Sequence, residues 1–131
     1  EGGDGGAIET SGFVLDVAGI DVDATASEGE QGLWLLDPFD YTLDSTDASL
    51  IEGAVEAGNN VTISTAAASN SVSGGAIQAD NSSDSTGGTI TIDSSITIDS
   101  EPSGGSAGSL SFVADKDIIV NQPSLKIYIF L

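Results

Sequence analysis

The side chains able to do chemistry in this chain are almost all carboxylates. Its 131 residues include 21 Asp and Glu but only two cations, Lys116 and Lys126, and no His, Cys or Met. Without His or Cys there is no zinc site of nitrogen and sulfur ligands, no Ser-His-Asp or Cys-His nucleophile, and no imidazole titrating near neutrality. A glycosidase needs just two carboxyl groups, so composition leaves polysaccharide hydrolysis open. Most of the acids, however, alternate with aliphatic residues, as on a solvated strand face. No Arg, His or Cys stands by to position a sugar or tune an acid. The chain is therefore expected not to be an enzyme, with a polysaccharide-acting enzyme as the third reading of its function.

Calcium is the other chemistry these acids offer. Asp37, Asp40, Asp44 and Asp47 crowd one short stretch, and Asp21/Asp23 and Asp115/Asp117 come in pairs. Hard cations take about six to eight oxygens, which acid-rich turns can supply. No EF-hand spacing and no Gly-Gly-x-Gly-x-Asp repeat accompanies them, and the competing reading is acids spread for solubility. No cofactor is expected beyond calcium at those four aspartates. Asn60 and Asn81 each open a glycosylation acceptor sequence, Asn60-Val61-Thr62 and Asn81-Ser82-Ser83. Thr pairs such as Thr89/Thr91 raise ice binding, but they are few, and Ser109/Ser111 replaces them further along.

The formal net charge of -19 repels DNA, RNA and anionic lipid alike. No apolar run reaches the about 18 residues that a bilayer span needs. Neither a nucleic-acid partner nor membrane insertion is expected. Disorder, the usual fate of an acidic chain, is opposed by 39% hydrophobic residues and a mean hydropathy of +0.12.

Apolar residues recur with period two in Ile20–Ala24, Tyr41–Asp44, Val61–Ser64, Thr89–Asp93 and Ile96–Asp99, which predicts short half-buried strands between Gly, Ser and Asn turns. Ala48–Ala57 has at most a turn or two of helix, ending at Gly58. Asn59-Asn60 suits left-handed backbone at a corner. Moving Gly88-Thr89-Ile90-Thr91-Ile92 forward by twenty positions lands on Gly108-Ser109-Leu110-Ser111-Phe112. That offset predicts an all-β stack of coils, a β-solenoid of about 20 residues per coil, with an irregular excursion near residues 25–60. A β-sandwich is the rival.

Three ordered segments, Gly5–Gly12, Trp34–Pro38 and Gly58–Thr65, resemble a recurring block of filamentous-haemagglutinin-like adhesins, large bacterial exoproteins exported by two-partner secretion. Gly108–Phe112 and Asp117–Asn121 are similar to the segments that follow that block, so the resemblance covers residues 3 to about 122. It implies a right-handed parallel β-helix, secreted to the cell surface as an adhesive or structural rod. No amino-terminal secretion domain of that family is recognisable, so the chain is not expected to direct its own export. Trp34, the single Trp, reads as a core aromatic, with ligand stacking as the alternative.

The expected division is a β-solenoid domain over residues 1–123 and an apolar tail over 124–131. Leu125, Ile127, Tyr128, Ile129, Phe130 and Leu131 form a strand-like stretch broken by Lys126, which could cap the last coil, lie along the rod, or insert into another molecule. The leading expectation is a non-enzymatic, secreted, extracellular adhesive or structural segment. Its partners would be a host or neighbouring-cell surface or copies of itself. The alternative is a self-assembling filament subunit joined through that tail.

Overall fold

The computed structural model describes residues 2–65, 71–72, 75–76, 87–98 and 108–122. In chain order the elements are β1 (Ala7–Gly12), β2 (Leu33–Pro38), β3 (Tyr41–Leu43), α1 (Ser45–Glu56), β4 (Asn60–Ser64), β5 (Ser71–Val72), β6 (Gly75–Ala76), β7 (Ile90–Ile92), β8 (Leu110–Val113) and β9 (Ile118–Val120). Four strands make one parallel sheet in the order β1-β2-β4-β8, and three make a second in the order β3-β7-β9. β5 and β6 form a separate antiparallel pair.

The alternation read from sequence sets what faces inward. Trp34 and Leu36 of β2, Val61 and Ile63 of β4, Leu43 of β3, and Ile90 and Ile92 of β7 all enter one buried cluster. Each such side chain contributes about 1.5–3 kcal/mol on burial. Trp34 is fully buried, and its Nε1 donates to Thr10 Oγ1 at 3.0 Å, so it is a core residue with its polar atom satisfied rather than a stacking platform.

The all-β, right-handed parallel β-helix expectation is corrected: the fold is mixed α/β, two small parallel sheets and a helix, with no closed coil among the described residues. The twenty-residue period fails on register. Ile90 lies opposite Ile118 and Leu110 lies opposite Val61, so the two matched segments belong to different sheets. Partners in register stand 26 residues apart for Ala7 and Leu33, 27 for Leu33 and Asn60, 28 for Ile90 and Ile118, and 49 for Val61 and Leu110. Period-two alternation records which face of a strand is buried; it holds nothing about which strand lies alongside. The stretch near residues 25–60, expected to be an irregular excursion, holds β2, β3 and α1.

The helix is also longer than its sequence suggests, at 12 residues, because both ends are satisfied. Asp44 is the N-cap: its Oδ1 accepts from the N–H groups of Thr46 (2.8 Å) and Asp47 (3.1 Å). At the other end Gly58, with φ of 102°, lets its own N–H reach the Val55 carbonyl and the N–H of Asn59 reach the Ala54 carbonyl, a Schellman closure. No described residue other than glycine has positive φ, so Gly58 makes the left-handed corner expected of Asn59-Asn60. Ala48, Ile51, Ala54 and Val55 form the buried stripe.

Ile20–Ala24 and Ile96–Ile98 form no strand, yet Ala24, Ile96 and Ile98 are buried. Their backbone meets side chains instead of a neighbouring strand. The Thr97 N–H donates to Glu52 of the helix, and the Ala24 N–H donates to Asn59 Oδ1. At the corner that opens β4, a Cβ on Gly108 would overlap the carbonyl oxygen of Asn59. Gly108→Ala is expected to lower stability by about 3 kcal/mol, the upper range of forced overpacking. Gly53→Ala, on an exposed helix position with open space around it, should raise it by about 0.5–1 kcal/mol. Urea unfolding of the two variants checks both.

Candidate functional site

The four aspartates expected to crowd together are engaged with separate groups. Asp37 is buried in β2. Asp40, in the turn between β2 and β3, accepts from the Thr89 N–H at 2.9 Å, tying that turn to the start of β7. Asp44 caps the helix, and Asp47, in its first turn, accepts from the Tyr41 hydroxyl at 2.9 Å. Among the described residues no group of three or more carboxylates gathers as a metal site would require. Elsewhere acids act likewise on backbone donors. Asp4 accepts from the Glu30 N–H, and Asp23 takes both the hydroxyl and the N–H of Thr25, which hold its carboxyl below the ordinary carboxylate range.

Among the described residues, Tyr41 and Asp47 form a pair in which both groups are shifted upward. Burial pushes the Tyr41 phenol well above its ordinary range, and its hydrogen bond to Asp47 and the charges of Asp47, Asp44 and Asp16 push it the same way. Asp47 is raised as well: burial leads, the Tyr41 hydroxyl opposes it, and Asp44 and Asp16 add to it. Three carboxylates thus act on one buried phenol. That phenol stays protonated across the physiological range and serves as a hydrogen-bond donor.

Asn60 stands at the start of β4 with its amide engaged at both ends. Nδ2 donates to the Gln31 carbonyl at 3.1 Å, and Oδ1 accepts from the N–H and the hydroxyl of Ser109 at 3.1 and 2.9 Å. The residue bridges the segment before β2 to the segment before β8. A glycan on Nδ2 would replace one of its two hydrogens and leave a single N–H to donate to Gln31. Asn81 and the six tail residues Leu125, Ile127, Tyr128, Ile129, Phe130 and Leu131 lie outside the described residues.

Sequence reasoning missed two apolar surfaces. Ile118, Ile119 and Val120 of β9 are all exposed at the edge of their sheet. Phe13 is 73% exposed and stacks on Phe39, with ring centroids 4.6 Å apart, and Val14 beside it is also open. The signal for β9 was its unbroken Ile-Ile-Val, which lacks the polar alternation of an ordinary half-buried strand. For Phe13, an aromatic directly after a strand-ending glycine carried no such mark.

The segments that carry the adhesin resemblance, Gly5–Gly12, Trp34–Pro38 and Gly58–Thr65, contain or lie within β1, β2 and β4, three strands that pair side by side. No described helix is long and apolar enough to cross a membrane. Compared with protein-family models, with curated protein sequences and with solved structures, the chain has no match.

Asp47 gives this region a defined pH response. Its folded value lies above the ordinary 3.8, so the folded state holds the proton more tightly, and stability rises as pH falls through the folded value towards 3.8. Asp47→Asn keeps an acceptor for Tyr41 and removes the titration. Wild-type stability relative to this variant is expected to increase on acidification from pH 7, by less than about 1 kcal/mol at this part-exposed position. Urea unfolding of the pair between pH 7 and pH 4 measures it; a wild type that weakens against the variant on acidification contradicts the assignment.

Proposed function

We propose that this chain is a non-enzymatic, extracellular adhesive segment of a bacterial surface exoprotein. The observation that carries the reading is the neighbouring placement of the three resembling segments as β1, β2 and β4. In that reading the recurring block is a structural unit, with each segment supplying one strand of one parallel sheet.

The use of the acids supports the same view. Asp4, Asp23, Asp40 and Asp44 each accept from a backbone N–H. Their role is to hold turns and a helix end, while their charge keeps the surface solvated. A surface segment needs a contact able to bury apolar area, and aromatic residues lead in such contacts. Phe13, braced from behind by Phe39, is the described aromatic most open to a partner.

Beads coated with the chain present many copies at once, so even weak contacts accumulate. They are expected to be retained on epithelial or bacterial cell layers about tenfold better than beads carrying an inert acidic protein, and Phe13→Ser should remove most of that retention. Incubation with polysaccharides should release no new reducing ends. Retention equal to the control beads, or polysaccharide cleavage, contradicts the reading.

A further inference from the structure

The pairing of β1 with β2 ends with Gly12 opposite Pro38. The residue after each is aromatic, Phe13 and Phe39, and their rings stack with centroids 4.6 Å apart and planes 24° from parallel. Phe39 packs on Gly87 as well, where a Cβ would overlap its ring. It is half-buried and braced, while Phe13 is 73% exposed against it. A ring already held in place loses little freedom when a partner settles on it.

The charged residues nearest to the two rings along the chain are all acidic: Glu9 and Asp16 around Phe13, Asp37 and Asp40 around Phe39. Asp16 and Asp40 are exposed, and each is anchored by a backbone donor, the N–H of Ala18 at 3.0 Å and that of Thr89 at 2.9 Å. The charge of Asp16 reaches Tyr41, just past Asp40, so the two aspartates lie on the same side of the structure. Among the described residues the cation is Lys116. Gly88 stands between it and Phe39, bonding the Phe39 carbonyl through its N–H and the Lys116 N–H through its carbonyl, both at 3.0 Å.

An apolar partner laid over Phe13 would strip water from neighbouring carboxylates without pairing them, which is costly. A guanidinium answers to both groups, because its plane stacks on an aromatic face and its N–H fork bonds carboxylates. The chain has no Arg of its own, so that group must come from another molecule. The net charge of -19 draws a cationic segment towards this surface.

We propose that the Phe13–Phe39 stack, with Asp16 and Asp40 of the same two segments, is a docking point for an arginine-bearing segment of a partner protein. This rests on the adhesive reading for Phe13 as the contact and adds the chemistry of what it meets: a guanidinium over the open ring, held by the flanking carboxylates.

Fluorescence anisotropy of a short labelled Arg-Gly peptide added to the full chain tests this, beside Lys-Gly and Gln-Gly peptides of equal length. At about 20 mM salt the Arg-Gly peptide should bind the wild type about two- to fivefold more tightly than Phe13→Leu, which keeps an apolar side chain and removes the ring. It should also bind more tightly than the Lys-Gly peptide, and binding should weaken as salt is raised to about 300 mM. Three results overturn the proposal: no binding of the Arg-Gly peptide, equal affinity for wild type and Phe13→Leu, which would leave charge alone, or equal binding of the Gln-Gly peptide, which would assign the stack to a neutral partner. Bead retention on cells without Arg-Gly binding overturns this partner and spares the adhesive reading. Phe13-dependent Arg-Gly binding without retention supports the docking point and overturns the adhesive reading.

Discussion

The Asn59 side chain, fully buried at the foot of β4, takes the Ala24 N–H on its oxygen at 2.7 Å and gives its own hydrogens to the carbonyls of Ala54 and Val22 at 2.9 and 3.3 Å. Its backbone N–H closes the helix by bonding the Ala54 carbonyl as well. One residue therefore joins the end of α1, the start of β4 and the Val22–Ala24 segment, which has no strand partner of its own. Neighbouring backbone is packed against this point so closely that Gly108 has no room for a Cβ. Buried amides that lose their partners cost about 1–3 kcal/mol per group, a large share of a stability that is typically 5–15 kcal/mol in all.

From that corner the two parallel sheets follow. β2 and β4 bring Trp34, Leu36, Val61 and Ile63 into the core, and β3 and β7 bring Leu43, Ile90 and Ile92 to the same cluster. α1 adds Ile51 and Val55. Polar side chains handle the turns: Asp40 fastens the start of β7, Asn60 bridges to Ser109, and Thr65, buried after β4, donates to the Gly88 carbonyl at 2.9 Å. The acidic character of the chain thus has two uses in one molecule. Some carboxylates hold backbone donors in place, and the net charge of -19 favours a solvated surface.

Much of the core was legible in the sequence, because alternation at Tyr41–Leu43, Val61–Ile63 and Ile90–Ile92 directly marks inward faces. Even Ile96 and Ile98, outside any strand, were marked as buried for the same reason. Neighbour choice was not legible. Ile90 and Leu110 share a local pattern but pair in different sheets, since register depends on long-range fit rather than on the pattern itself. The helix was undercounted because its stability comes from Asp44, Gly58 and tertiary packing more than from local propensity. The crowding of Asp37, Asp40, Asp44 and Asp47 in sequence suggested a shared site; instead Asp37 is buried in β2, and Asp40 in the β2–β3 turn, Asp44 at the cap of α1 and Asp47 in its first turn each accept from a different donor. Asn59 was read as a corner residue, and nothing in the chain around it announced its two distant hydrogen bonds, to Ala24 and Val22.

The dependence of the fold on that buried amide is best tested by equilibrium unfolding in urea of Asn59→Ala beside Asn121→Ala, an exposed asparagine with a single side-chain bond to Asp93. Loss of the Ala24 and Val22 partners should lower stability by about 3 kcal/mol or more at Asn59, against less than about 1 kcal/mol at Asn121. Equal and small losses at both positions would contradict the central place given to Asn59.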